Sequence, residues 1–276
     1  MIKADQYYID NLLNIKNNGS LDEDPRPRYA DGTPAHCKFI TGVFETYDIN
    51  NGEFPITTLR NTAIKTGIRE ILWIYQKQDN NLSTANGMGI HWWDEWDIGD
   101  GTIGNRYGHT VKRYDLLNKL LVGLKDNPFS RRHIMNMYQY DELNSSPGLD
   151  PCAYETLWAV RNISGIYYLD LTLVQRSNDY IMAGYINKIQ YVALQMMVAS
   201  HCGMRPGKFY HLVNNLHVYD RHYDALEELL TREPLDVQPS IKLTENKGFY
   251  AFTVDDFIIR GTDGINKLTT ELEIAI

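Results

Sequence analysis

Cysteine is scarce: Cys37, Cys152 and Cys202 are the three in 276 residues, and no two are spaced as CxxC. Neither a zinc site nor a disulfide framework is suggested, and other metal-ligand spacings are missing too. Long apolar runs are also lacking, since nowhere do roughly 18 apolar residues follow one another, as a membrane-spanning helix requires. The opening segment MIKADQYYIDNLL is broken by acidic side chains and does not read as a signal peptide. The expected compartment is a reducing cytoplasm. Basic residues are in deficit, with 27 Lys and Arg against 35 Asp and Glu, a formal charge of −8. That balance argues against a broad cationic surface for nucleic acid, so an anionic ligand has to be met by a local arginine cluster. Linkers, repeats and low-complexity stretches are absent, which leads to the expectation of one domain over residues 1–276. GDGTIGNRYG is Gly-rich but lacks the Lys-Ser/Thr ending of a phosphate loop.

What is present alternates between two periods. Residues 4–16 place Tyr8, Ile9, Leu12, Leu13 and Ile15 at helical spacing and stop at NNG. A polar, Pro-bearing loop, SLDEDPRPRYADGTPAH, carries Arg26 and Arg28. A strand is expected from Phe39 to Ile49, then a helix through TAIKTGIREILWIYQ. Glu70 lies beside that helix's apolar face, where its carboxylate meets partly apolar surroundings. Leu116, Leu117, Leu120, Leu121 and Leu124 mark another helix, and RHIMNMYQY, AYETLWAV and IYYLDLTLV read as strands. A long helix from about Asn187 to Cys202, a strand KFYHLVNNLHVY and a helix DRHYDALEELL capped by Asp220 complete the pattern. The class is mixed α/β (α+β), and periodicity leaves the topology open.

Several polar groups stand where a plain core would prefer apolar ones. Cys152 heads the strand AYETLWAV after an Asp-Pro pair; a lone cysteine there is more often a small core residue than a nucleophile. VQRSND follows an alternating strand with Arg176, Ser177 and Asp179; the arginine either binds an anion or closes a surface ion pair. Arg131 and Arg132 sit at a strand entrance, where alternation sends them to opposite faces. His217 and Tyr219, two apart on a strand, share a face and are able to present two polar tips to one ligand or to satisfy each other in the core. Trp93 and Trp96 lie in the dense cluster HWWDEW, which is either core or a wall for a planar heterocycle.

In order along nearly the whole chain, these segments resemble folate-dependent thymidylate synthase. The landmarks are REILWIYQ, WWDEW followed by GTIGNRYG, NPFSRRHI, DPCAYE, QRSND with Asn187 downstream, LHVYDRH and the C-terminal IAI. The resemblance implies a single domain with a large mixed sheet packed by helices, paired sheet to sheet in a homodimer. It implies that Cys152 adds to C6 of dUMP, making C5 a nucleophile toward 5,10-methylenetetrahydrofolate, with arginines lowering the thiol pKa. By the same likeness Arg176 and Ser177 hold the phosphate, joined by Arg131 and Arg132 from the partner subunit and by a loop arginine, Arg28 in preference to Arg26. Asn187 corresponds to the reader of the pyrimidine edge, and His217 and Tyr219 to the pair on the ribose hydroxyl. Glu70 corresponds to the general acid/base and Tyr107 to a tyrosine assisting proton removal. Trp93, Trp96, Leu149, Asp179, Ile186 and the Ile276 carboxylate map to the folate side, with Asp179 also bordering the nucleotide. No metal is implied.

Departures fall on the folate side. Ala183, Tyr185 and Ile186 stand where the family commonly has a glycine, a proline and a phenylalanine, and Ala153 replaces a frequent histidine. Because of these changes a dUMP hydroxymethylase, in which water rather than hydride captures the methylene, is the alternative. Trp93 and the intact IAI tail favour exclusion of water and hence the synthase. A non-catalytic nucleotide binder would not be expected to keep Cys152, Glu70 and the arginines, and a cysteine hydrolase would leave the arginine pairs without a use.

Overall fold

The computed structural model describes residues 1–244 and 246–276. Its helices are α1 (Lys3–Asn18), α2 (Ile64–Ile71), α3 (Leu82–Gly87), α4 (Gly108–Arg113), α5 (Leu116–Asp126), α6 (Tyr140–Ser145), α7 (Gly184–His201) and α8 (Tyr223–Thr231). The strands are β1 (Ser20–Leu21), β2 (Cys37–Asp48), β3 (Ile134–Asn136), β4 (Ala153–Ile163), β5 (Ile166–Asp179), β6 (Arg205–Tyr219), β7 (Ser240–Leu243) and β8 (Phe257–Arg260). Strands β1 to β6 form one sheet in the order β1-β2-β6-β5-β4-β3, and β7 pairs with β8 as a separate ribbon. Only β5 and β6 run parallel in the large sheet; its other pairs are antiparallel. The expected mixed α/β architecture with a large sheet packed by helices is therefore the architecture observed.

Parallel strands need a crossover, and α7 supplies it. This helix is buried nearly all round, from Gly184 and Tyr185 through Ala199, as expected for an element apolar on every side. Its buried polar residues each have a partner. Gln195 Nε2 donates to Leu169 O at 2.8 Å and Lys208 O at 3.0 Å, where the β5–β6 register shifts between Leu169 and Leu171. Lys188 Nζ reaches Glu45 Oε2 at 2.6 Å with neither group open to solvent. Glu45 also accepts from Tyr47, Tyr180 and Asn11, and Lys188 lies 3.7 Å from the centre of the Tyr185 ring. Burial pushes the Glu45 carboxyl up, but the Lys188 charge, with the hydrogen bonds from Lys188 and Tyr47, outweighs it and holds it below the usual range.

The two faces of the sheet differ. On one, His211, Leu173 and Phe209 are buried. On the other, the cross-strand partners Phe44 and Leu212, and Leu157 and Ile134, remain exposed.

Four segments differ from sequence expectation. The helix through TAIKTGIREILWIYQ is α-helical only to Ile71 and continues as a π-helix over Leu72–Lys77; four consecutive side chains, Leu72 to Tyr75, are buried, more than one face of an amphipathic helix holds. RHIMNMYQY forms only the short β3 before Tyr140 starts α6. Strand β5 runs on to Asp179, so the QRSND landmark lies on the strand and not beyond it. Asp220 does not cap α8, because its carboxylate is taken by the Tyr29 hydroxyl and the Arg221 N–H.

Lys188→Met should leave Glu45 as an unmatched buried charge and cost about 3–5 kcal/mol of stability. Urea unfolding measures the loss, and adding Glu45→Gln to the same chain should recover part of it.

Candidate active site

The C-terminal ends of β5 and β6, the first turns of α7, the last turn of α2 and the final three residues surround a cavity of about 580 Å³. Its wall includes Cys152, Arg176, Ser177, Asp179, Asn187, His217, Tyr219, Glu70 and Tyr107. Trp93, Trp96, Leu149, Ile186 and Ile276 line the remainder. Polar side chains and apolar, aromatic ones thus line a single space.

Cys152 stands just before β4, half-buried. Its N–H donates to the Tyr107 hydroxyl at 3.1 Å, and its carbonyl accepts from the Arg176 N–H at 2.9 Å. The Arg176 guanidinium is clamped onto the same segment, Nη2 to Asp150 O at 2.7 Å and Nε to Pro151 O at 3.1 Å. A cation is therefore fixed beside the thiol. Burial nevertheless pushes the Cys152 thiol up, with Arg176 and then Arg26 pulling against it. The expected lowering of this thiol is not met within the single chain, because two arginines do not offset desolvation.

Tyr107 adopts φ 48° and ψ −104°, a conformation costly for a bulky side chain. The following Gly108 is required by space: a Cβ there would fall 2.1 Å from Asp79 O. This tight passage delivers the Tyr107 ring against Trp93, with centroids 5.3 Å apart, and its hydroxyl under Cys152.

Glu70, at the end of α2, is only 7% exposed. Trp92 Nε1 donates to its Oε2 at 2.5 Å. Burial pushes the carboxyl up to about 7, against smaller pulls from Trp92, Trp93 and Gln190. The semi-apolar setting read from the helix spacing is realised, and the group sits where it can both give and take a proton near neutrality.

Asn187 Oδ1 accepts from Asn178 Nδ2 at 3.1 Å and Gln175 Nε2 at 3.3 Å, and Asn187 Nδ2 donates to Gln190 Oε1 at 3.0 Å. His217 and Tyr219 do share a face, with ring centroids 4.9 Å apart. His217 Nδ1 lies 3.0 Å from Asn215 Oδ1, and burial lowers the imidazole's pKa, so the ring is neutral.

Other expected positions fall elsewhere. Arg26, not Arg28, is on the cavity wall; the backbone of Arg28 is instead paired with Ile276 in both directions, at 2.7 and 2.9 Å. That pairing draws the C-terminus over the cavity, helped by the Arg221–Glu273 ion pair at 2.7 Å. Arg131 and Arg132 are exposed in the turn before β3 and lie outside this chain's own cavity wall. Of the folate-side departures, Ala183 and Ile186 do face the cavity. Tyr185 does not: it is buried, donates to Ala4 O and packs on Tyr8.

Sequence reasoning ranked Arg26 behind Arg28 and missed Trp92, Gln175, Asn178 and Gln190. Two of the four missed residues had a signal: Gln190 lies one helical turn after Asn187, and Gln175 shares a strand face with Ser177. Among the described residues, no group of three or more His, Cys, Asp or Glu is placed to hold a metal ion, and no helix is long and apolar enough to cross a membrane.

Glu70 gives a pH signature of known sign. Its folded value near 7 exceeds the ordinary glutamate value of 4.5, so the unfolded chain binds fewer protons in between and stability falls as pH rises through that window. Equilibrium unfolding of Glu70→Gln should show a flatter profile from about pH 4.5 to 7, the difference amounting to about 3 kcal/mol.

A family model described as Thymidylate synthase matches residues 6–274. Curated relatives named Thymidylate synthase, from Streptococcus pneumoniae (strain 70585) and Streptococcus gordonii (strain Challis), are each 46% identical over 280 residues, covering 100% of both chains. Among solved structures, a thermostable thymidylate synthase A from Bacillus subtilis superposes with a TM-score of 0.89 at 38% identity, covering 99% of each chain. None of these relatives carries the name of a hydroxymethylase, and that alternative finds no support among them. With a cysteine, a buried carboxylic acid and an arginine converging on one cavity, and with these likenesses spanning its length, the chain belongs to the thymidylate synthase family and is a methyltransferase of that kind.

Proposed function

We propose that this chain acts as one catalytic domain over residues 1–276, converting dUMP to dTMP with 5,10-methylenetetrahydrofolate and releasing dihydrofolate. The observation that carries the reading is the placement of Cys152, Arg176, Asn187 and Glu70 around the same cavity. Cys152 adds as thiolate to C6 of the uracil ring, so that C5 becomes the nucleophile. Asn187 reads the O4 and N3–H edge, and His217 with Tyr219 meets the ribose hydroxyl. Arg176 and Ser177 hold the phosphate, and Arg26 replaces Arg28 as the loop arginine because it is the one on the cavity wall. Glu70, with its pKa raised to about 7, moves protons at O4 and, with Tyr107, at C5.

The apolar side chains of the cavity suit a flat heterocycle with an aromatic middle: Trp93 and Trp96 stand edge to face at 5.6 Å, and Leu149 and Ile186 continue the wall. When bound there, methylenetetrahydrofolate supplies both the one-carbon unit and the hydride. Asp179 is also on the cavity wall, with its carboxylate accepting from Met182 N–H at 3.0 Å. The tail ending at Ile276 excludes water, which favours hydride over hydration as the last step.

The exposed apolar sheet face, with Phe44 53% and Ile134 46% exposed, supports a homodimer joined sheet to sheet. In that dimer Arg131 and Arg132 complete the partner's phosphate site. Their charge also supplies what the single chain lacks, since Arg176 and Arg26 alone leave the Cys152 thiol raised. The three free cysteines accord with a cytoplasmic location.

Purified protein given dUMP and methylenetetrahydrofolate should yield dTMP and dihydrofolate by mass spectrometry; hydroxymethyl-dUMP would refute hydride transfer. Cys152→Ala should abolish turnover and keep dUMP affinity within about threefold, and continued turnover would refute the nucleophile. Mixing Arg131→Ala chains with Cys152→Ala chains should restore part of the activity, and confirmed hybrid dimers without activity would refute the shared site.

A further inference from the structure

An asparagine by itself reads a pyrimidine ambiguously. Rotating the amide by half a turn exchanges its donor and acceptor, so the same residue can match the O4 edge of uracil or the amino edge of cytosine. The neighbours of Asn187 decide between them. Two donors, Gln175 Nε2 and Asn178 Nδ2, meet its Oδ1, and one acceptor, Gln190 Oε1, takes one hydrogen of its Nδ2. The second Nδ2 hydrogen is left for the ligand. It complements a carbonyl oxygen and repels an amino group.

These amides could all turn over together, so the polarity has to come from the ends of the network. At one end the Gln190 carbonyl accepts from Asn187, while Gln190 Nε2 makes no full hydrogen bond and the amide is near enough to Glu70 to pull its pKa down, as an N–H turned toward the carboxyl would. At the other end His211 Nε2 lies 2.5 Å from Gln175 Oε1, a carbonyl that also accepts from Asn178 at 3.1 Å. His211 Nδ1 has no hydrogen-bond partner, and a buried N–H left unpaired costs more than a bare lone pair, so the imidazole proton sits on Nε2 and the Gln175 group facing it is the carbonyl. His211 is the cross-strand partner of Glu45, which carries the buried ion pair with Lys188. Burial, and then the Lys188 charge, push the imidazole down to about 3, which keeps it a neutral, single-proton donor.

We propose that His211 and Gln190 are specificity-determining positioning residues, which through Gln175 lock the Asn187 amide in the orientation that selects uracil over cytosine. The proposal rests on Asn187 reading the pyrimidine edge, as put forward above. His211 is fully enclosed, with 1% exposure, and acts only through the network.

The test is the ratio of dissociation constants for dUMP and dCMP, measured by equilibrium dialysis on the full-length protein, with thermal unfolding to confirm folding. His211→Leu and Gln190→Met should each reduce the preference for dUMP about tenfold, the cost of one mismatched buried hydrogen bond. His211→Gln, which can still donate to Gln175, should restore most of it. A folded His211→Leu or Gln190→Met variant that keeps the wild-type ratio overturns the proposal, including the case in which both nucleotides weaken equally. Should His211→Leu fail to fold, Gln190→Met, on the cavity wall, decides. Asn187→Asp separates the underlying reading: it should shift preference toward dCMP, and an unchanged ratio there would remove the Asn187 assignment itself.

Discussion

Two parallel strands cannot be joined by a tight turn, and the pairing of β5 with β6 therefore obliges the chain to leave the sheet, cross it as α7 and return. Much of the site depends on this pairing. Its register sets Ser177 beside Asn215 and Asp179 beside His217, so polar groups from two strands meet at one sheet end of the cavity. The crossover begins at Gly184, just past the end of β5, and brings Asn187 in its first turn over the same end. The irregularity in this pairing, between Leu169 and Leu171, is filled by Gln195 from the helix itself. Sheet and helix thus fix one another's position.

Burial then sets the chemistry. The same desolvation that raises Glu70 to about 7, a useful value for proton transfer, also raises the Cys152 thiol, which the proposed role needs as its anion. The two effects have to be separated by cations placed near one group and not the other. Arg176 is held beside the thiol by the carbonyls of Asp150 and Pro151, whereas Glu70 accepts from the Trp92 indole and no arginine bears on it. A carboxyl and a thiol in one cavity are tuned apart by what surrounds each. Behind them, the Lys188–Glu45 pair keeps charge in the core without exposing it, while burial, helped by the Lys188 charge, holds His211 neutral at the back of the amide network.

Much of the site was legible in the sequence because its residues lie within short segments. Cys152 after Asp-Pro, Arg176 and Ser177 in QRSND, and His217 with Tyr219 two apart all line the cavity. Helix spacing alone put Glu70 beside an apolar face, and it is buried there. Arg28 and Tyr185 were not legible in this way. Which of two loop arginines turns inward depends on how the C-terminus pairs with the loop, some 250 residues away in sequence by the spacing of Arg28 and Ile276. Where Tyr185 points depends on Tyr8 and Ala4 in α1, which periodicity within α7 does not encode.

The sequence by itself determined the class of the fold, the ordered segments that identify the family, and the chemical kinds of group available: a thiol, a carboxyl, arginines and an amide. These are local properties, carried by residue type and by periods of two or 3.6 residues. Only the tertiary structure decided the parallel register of β5 and β6, the inward turn of Arg26, the net rise of the Cys152 thiol and the direction of the amide network around Asn187. Each of these is a balance between groups far apart in the chain, and desolvation and hydrogen-bond polarity have no value until those groups are brought together.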